Sequence, residues 1–89
     1  MQITFDAAKS AKNLAERNLS FERVAEPDWE TAIAEEDRRF NYGERRFQVT
    51  GTLDGRPHAV VVTYRRDAVH VISFRRANKR EIKRYEEAG

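Results

Sequence analysis

Apolar positions along the chain follow two kinds of pattern. Up to residue 25 they recur at short alternating or helical spacings, and from residue 47 to residue 75 they alternate or run together as strands do. Ile3 and Phe5 alternate with polar neighbours and predict a short opening strand. Asp6 follows where an N-cap belongs, its carboxylate able to accept from the free amides of the next turn. Ala7, Ala11, Leu14 and Ala15 share one face at helical spacing, with Lys9, Lys12, Asn13 and Glu16 largely off it, which predicts a helix over residues 7–17. Asn18 suits a left-handed C-terminal cap. Ser20 suits the N-cap of a second, shorter helix with Phe21, Val24 and Ala25 as its stripe, ended by Pro27, which has no amide hydrogen and restricts Glu26. Trp29, Thr31 and Ile33 alternate with Glu30 and Ala32 and allow a strand. Residues 35–44 are dense in charge, contain Asn41 and Gly43, and read as a mobile loop.

The strand signal then strengthens. Phe47, Val49 and Leu53 open a strand that ends at the turn dipeptide Asp54-Gly55. Ala59 to Arg65 is nearly continuous and Val-rich, as in a central strand covered on both faces. Arg66-Asp67 makes a tight connection, and Val69 to Arg75 forms the last strand. Asn78 caps a final helix over residues 79–87, whose Ile82 and Tyr85 lie three apart and can face the sheet. The expected fold is α+β: an antiparallel sheet built mainly from residues 47–75, two N-terminal helices on one face, and a C-terminal helix at its edge.

Length and composition narrow the class. Eighty-nine residues are expected to form one domain, and a chain of that size buries only about 60–65% of its unfolded surface. The absence of cysteine excludes a disulfide framework and thiolate metal sites. No signal pattern or membrane-length apolar run is present, so the expectation is a soluble cytoplasmic protein. The net charge of +2 is small but unevenly placed: residues 60–89 hold eight Arg or Lys against four acids, and residues 22–44 hold eight acids against three Arg. Such asymmetry predicts two surfaces for two partners, unless both are simply solvated faces.

The basic end carries the candidate chemistry. Arg75 and Arg76 close the last strand, and Lys79, Arg80, Lys83 and Arg84 follow on the final helix. Guanidinium matches phosphate geometry best among side chains, so a nucleic-acid backbone is the first partner to consider. The helix cations can track phosphates without reading sequence, and the same residues could dock an acidic protein. No glycine-rich phosphate loop, histidine–carboxylate metal cluster or serine triad appears, so neither a cofactor nor a metal is expected.

Four local signatures, in order over almost the whole chain, resemble the BrnT toxin family. Ile3-x-Phe5-Asp6-x-x-Lys9-x-x-x-Asn13 stands where the family usually has Phe-x-Trp-Asp-x-x-Lys-x-x-x-Asn. Ser20-Phe21-Glu22 opens the second helical segment, and Gly43-Glu44-Arg45-Arg46-Phe47 is similar to the family's Gly-Glu-Glu-Arg-Phe. The most specific is His70-Val71-Ile72-Ser73-Phe74-Arg75-Arg76-Ala77, followed by Glu81 and Tyr85 at the family's offsets. Two positions depart from the pattern: Glu16-Arg17-Asn18 replaces a common Lys-His-Gly, and His70 replaces an arginine.

The resemblance implies a RelE-like fold and a ribonuclease toxin of a type II toxin–antitoxin pair, which cuts RNA without a metal and thereby lowers translation and growth. It implies a cognate BrnA-like antitoxin that covers the basic site, and DNA contact only indirectly, through that antitoxin. The alternative is a non-catalytic RNA-binding or antitoxin-docking module that keeps the fold, and a third reading is an interaction domain with no nucleic-acid partner. Metal-free cleavage needs a base at the 2′-hydroxyl, cations for the charge building on phosphorus, and a proton for the leaving 5′-oxygen. Matched motif positions put Arg75 and Arg46 first for the cationic task, with His70 and Tyr85 as candidates for proton transfer and Glu81 as a group that orients an arginine. Lys9, with Asn13 one turn on, flanks the site, and Arg76, Lys79, Arg80, Lys83 and Arg84 bind the RNA backbone. Each has a plainer use: Arg46 in an ion pair with the acidic loop, Arg75 as a cap on the final helix, His70 and Tyr85 in packing, and Lys9 on an exposed helix surface.

Overall fold

A computed structural model of the chain describes residues 2–88. Its elements run β1 (Gln2–Phe5), α1 (Ala7–Arg17), a 3-10 turn (Phe21–Ala25), β2 (Asp28–Asp37), β3 (Arg46–Leu53), β4 (Arg56–Arg65), β5 (Ala68–Arg76) and α2 (Lys79–Ala88). The strands form one sheet in the order β1-β5-β4-β3-β2. Neighbours from β2 to β5 are antiparallel, but β1 pairs with β5 in parallel. The fold is thus α+β, as its segregated strands and helices predict, with two corrections: the sheet is mixed, and there is one N-terminal helix where two were expected. The mixed character follows from where β1 lies: it joins the edge beside β5, opposite its sequence neighbour β2, and three antiparallel steps from β2 to β5 leave β1 running with β5 and against β2. The second helical segment shrinks to five residues because Pro27 stops it and the Ser20 side chain makes no capping bond.

One strand is much longer than its pattern suggests. β2 continues through Asp37, so the expected loop begins only at residue 38. Its acidic run tolerates strand geometry because arginines meet it: Arg84 binds Glu35, Arg38 and Arg45 bind Glu36, and Arg39 binds Asp37. The Asp54-Gly55 turn joins β3 to β4 with both residues at positive φ, 52° and 76°, as a tight hairpin of this hand requires. β4 occupies the middle of the sheet, and Ala59, Val60, Val62 and Thr63 are all buried there.

The core lies on one face of the sheet. Leu19, Phe21 and Val24 from the segment after α1 pack on Leu53, Val60, Val62, Val71 and Phe74, with Phe5, Trp29, Phe47, Val49 and Val69 around them. Trp29 lies against Gly51, where an added Cβ would approach its Cζ3 to 2.9 Å. Trp29 also donates from Nε1 to the Val24 carbonyl at 2.9 Å.

Helix α1 reverses its expected orientation. Ala7, Ala11, Leu14 and Ala15 face solvent, and Leu14 is 49% exposed. The face turned inward is polar. The buried Ser10 hydroxyl accepts from the Phe21 amide at 2.9 Å, and Asn13 Nδ2 donates to the Leu19 and Phe74 carbonyls, each at 2.8 Å. β1 covers β5 only as far as Val71. Asn13 therefore satisfies a backbone oxygen on the uncovered half of that edge, where an apolar side chain would leave it unpaired.

α2 lies on the other face. Gln48 and Thr52 point away from Val49 and Leu53 by strand alternation, and both bond to this helix. None of the described helices is long and apolar enough to cross a membrane.

Candidate active site

Arg75, next to last in β5, lies on the α2 face and lines a cleft of about 390 Å³. Arg38, Arg39, Arg80 and Arg84 line it, together with Glu35, Glu36, Asp37, Gln48, Asn78 and Glu81. The Arg75 guanidinium donates to Glu81 from Nη1 at 2.7 Å and from Nη2 at 2.9 Å, a two-pronged contact that fixes its plane. Glu81 also accepts from Gln48 Nε2 and from the Asn78 amide, while the Glu81 amide donates to Asn78 Oδ1. Asn78 and Glu81 are therefore the two halves of a capping box at the start of α2. The helix start, the strand end and the arginine are set by one carboxylate.

Electrostatics follow from that pairing. The Arg75 contacts, aided by Asn78 and Gln48 against the opposing effect of burial, hold the Glu81 carboxyl down at about 2. Glu36 is held at about 2, first by Arg45 and then by Arg38. Asp37 is lowered by Arg39 and the Tyr42 hydroxyl. At neutral pH these carboxylates are ionised and strongly tied, which makes them poor proton acceptors. A carboxyl depressed in the fold contributes stability that is complete above its unfolded value, about 4.3, and is lost as pH falls towards 2. The Tm advantage of the parent over Glu81→Gln should therefore be greatest above about pH 5 and shrink towards pH 2. A difference that grows on acidification would contradict this account of Glu81.

Arg46 and His70 lie elsewhere on the same face. Arg46 pairs with Thr63, Thr63 with His70 and His70 with Thr4, which makes one row across four strands. Arg75 pairs with Ala59, four residues along β4 from Thr63. The two rows are therefore about 13 Å apart along the strands. Arg46 stacks on the Tyr42 ring at 4.1 Å and reaches Glu44 at 3.8 Å. His70 Nδ1 meets Thr4 Oγ1 at 2.9 Å, and burial, then Arg65, push its pKa below the ordinary histidine value. It is neutral at physiological pH. His58 is buried, bonded to the Arg56 carbonyl and tilted against Phe74.

The remaining predicted residues divide. Glu81, Arg80 and Arg84 share the cleft with Arg75. Tyr85 lies behind it, its hydroxyl 2.7 Å from Thr52 Oγ1 and 3.3 Å from Thr31 Oγ1. Lys79 and Lys83 flank Ile82 on another side of α2, Arg76 is exposed at the strand end, and Lys9 is exposed on α1. Arg38 and Arg39 were missed because residues 35–44 read as a mobile acidic loop. Their signal was the pair of arginines followed by two aromatic residues in Arg38-Arg39-Phe40-Asn41-Tyr42. The predicted separation into an acidic and a basic surface also fails, since Glu35, Glu36, Asp37 and Glu44 all contact arginine. Among the described residues no group of three or more His, Cys, Asp or Glu is arranged to hold a metal ion.

The family model described as "Ribonuclease toxin, BrnT, of type II toxin-antitoxin system" matches residues 5–81. The chain belongs to this family. Membership in the BrnT family makes it a ribonuclease toxin of a type II pair and implies a cognate antitoxin. No curated protein and no solved structure matches the chain. The matched span contains Arg46, His70, Arg75 and Glu81, and ends before Lys83, Arg84 and Tyr85.

Proposed function

We propose that the chain cleaves RNA without a metal, that the Arg75 cleft holds the phosphate at which the strand is cut, and that this single domain acts in the cytoplasm to lower translation and growth. The observation that carries the reading is Arg75 itself: a half-buried guanidinium, held in plane by Glu81, in an arginine-lined cleft. Attack by the 2′-hydroxyl forms the 2′-oxygen–phosphorus bond, and the 5′-oxygen–phosphorus bond breaks. The proton leaves the 2′-oxygen for a base, and a proton is supplied to the 5′-oxygen. Negative charge accumulates on the non-bridging oxygens between these events, and a fixed guanidinium stabilises that state more than the ground state. Arg46 and His70, about 13 Å along the face, are assigned to a neighbouring part of the bound strand. Lys9, Arg76, Lys79, Arg80, Lys83 and Arg84 supply diffuse attraction to the backbone.

The partner in this reading is a BrnA-like antitoxin that covers the arginine-lined cleft and carries the pair to DNA. One observation favours the alternative of a non-catalytic RNA-binding or docking module. The cleft carboxylates are tied to arginine, and the imidazole of His70 lies about 13 Å along the strands from the Arg75 row. Purified protein incubated with RNA in EDTA separates the two readings. Cleavage with 2′,3′-cyclic phosphate ends, blocked by 2′-O-methylation, is expected. RNA that is bound but stays intact would favour the docking module.

A further inference from the structure

The loop between β2 and β3 carries two adjacent aromatic rings, Phe40 and Tyr42, flanked by the guanidiniums of Arg39 and of Arg46 at the start of β3. Arg39 lies 5.9 Å from the Phe40 ring centroid, the Phe40 and Tyr42 rings meet edge to face at 5.8 Å, and Arg46 stacks on Tyr42 at 4.1 Å. The loop is tied down. Asp37 accepts from the Arg39 amide, Nε and Nη2 and from the Tyr42 hydroxyl, and Asn41 Oδ1 accepts from the amide of Gly43, which sits at a φ of 75°. Phe40 is nonetheless 66% exposed, the most open of the large hydrophobic side chains described. Its neighbours Arg38 and Arg39 line the same cleft as Arg75.

We infer that Phe40 is a base-stacking platform for single-stranded RNA entering the Arg75 cleft. This deepens the ribonuclease reading and rests on it for the identity of the ligand. Every base has a π-face, so an exposed ring beside arginines recognises an unstacked base without choosing its identity. A paired base inside an A-form duplex cannot reach such a ring, so the site takes loops, bulges and single strands. The neighbouring guanidiniums hold the phosphates on either side of the stacked base, and the fixed loop keeps the ring in place before the strand arrives. Phe40 therefore sets where along a strand the phosphate meets Arg75.

The test measures binding, so it does not depend on cleavage. The probe is a short fluorescent 2′-O-methyl oligonucleotide of mixed sequence, set against a matched abasic strand with the same phosphates and against its duplex. Phe40→Ala and Phe40→Leu should each weaken binding of the base-bearing single strand by roughly five- to hundredfold. Phe40→Trp should retain it, and Phe40→Ala should leave abasic binding unchanged. The duplex should bind the parent more weakly than the single strand does. The unfolding midpoint of all three variants should match the parent because the ring is exposed. Equal affinity of parent and Phe40→Ala for the base-bearing strand overturns the inference while leaving the ribonuclease reading intact. Retention of binding by Phe40→Leu also overturns it, since an apolar protein-type contact would then be enough. If the parent binds neither single strand, the inference fails, and RNA cleavage assayed separately then decides the ribonuclease reading.

Discussion

Arg75→Ala should lower RNA cleavage by about 10²–10³-fold, the usual cost of deleting one preorganised donor at a developing oxyanion. The side chain is 30% exposed, and its backbone is held by pairing with β4, so the guanidinium starts close to its working position. Arg75→Lys keeps the charge but loses the planar fork, and should cost about tenfold or more. Glu81 sharpens the test because it holds the Arg75 guanidinium in place. Glu81→Gln keeps one acceptor and should give a smaller loss, seen in the turnover rate more than in RNA affinity. Lys83→Ala, on the outer side of α2, should mainly weaken binding and reduce its salt dependence, because a diffuse phosphate contact acts through counterion release. Cleavage, growth arrest and the unfolding midpoint need scoring together, since Arg75 also anchors the start of α2. A folded Arg75→Ala protein as active and as toxic as the parent would remove the residue from the mechanism and advance the docking module.

Arg75 illustrates how far the chain could be read without coordinates. Its place at a strand end, the Asn78 cap and the Asp54-Gly55 turn are all local signals, carried by residues close together in sequence, and all three hold. The features that were lost depend on distant residues. Nothing between residues 7 and 17 announces that Ser10 and Asn13 face inward, because their partners are the Phe21 amide and the Leu19 and Phe74 carbonyls. Helical periodicity finds the helix but assigns the core to its apolar stripe, and here backbone satisfaction outweighs about one leucine and three alanines of apolar surface. The parallel edge pairing of β1 is equally invisible, since Ile3 and Phe5 read the same in either direction.

Charge was misread for the same reason. Counting acids over residues 22–44 predicts a negative surface, yet Arg84 and Arg45 reach Glu35 and Glu36 across the fold. The resulting mesh has a functional consequence. In the proposed reading a phosphate that enters the Arg75 cleft competes with carboxylates for guanidinium groups, so RNA would have to exchange one anionic partner for another. Glu35 and Arg84 are both about half exposed, and their pair gives way readily. Glu81 is only 11% exposed and is held by three partners, so it keeps Arg75 fixed while the outer pairs open.

Phe74→Ala should destabilise the domain by about 3–5 kcal/mol, the range for truncating a buried phenylalanine. The ring has no exposure, packs with the His58 ring at 5.9 Å, and lies opposite Val60 on the central strand. Its carbonyl accepts from Asn13 of α1, so a shift of this residue also loosens the helix that closes the β5 edge. Small domains have about 5–15 kcal/mol in total, and a chain of 89 residues is expected near the lower end of that range. The loss would therefore leave a measurable unfolded fraction at physiological temperature. Urea unfolding should show a much lower midpoint with little change in slope. Phe74→Leu fills part of the space and should lose less. The comparison with Arg75 is informative because strand alternation sends adjacent side chains to opposite faces: residue 74 inward to the core and residue 75 outward to the cleft. Stability should follow the first and cleavage the second. If Phe74→Ala unfolds at nearly the parent midpoint, the core does not depend on this ring, and the account of how β5 presents Arg75 would need rebuilding.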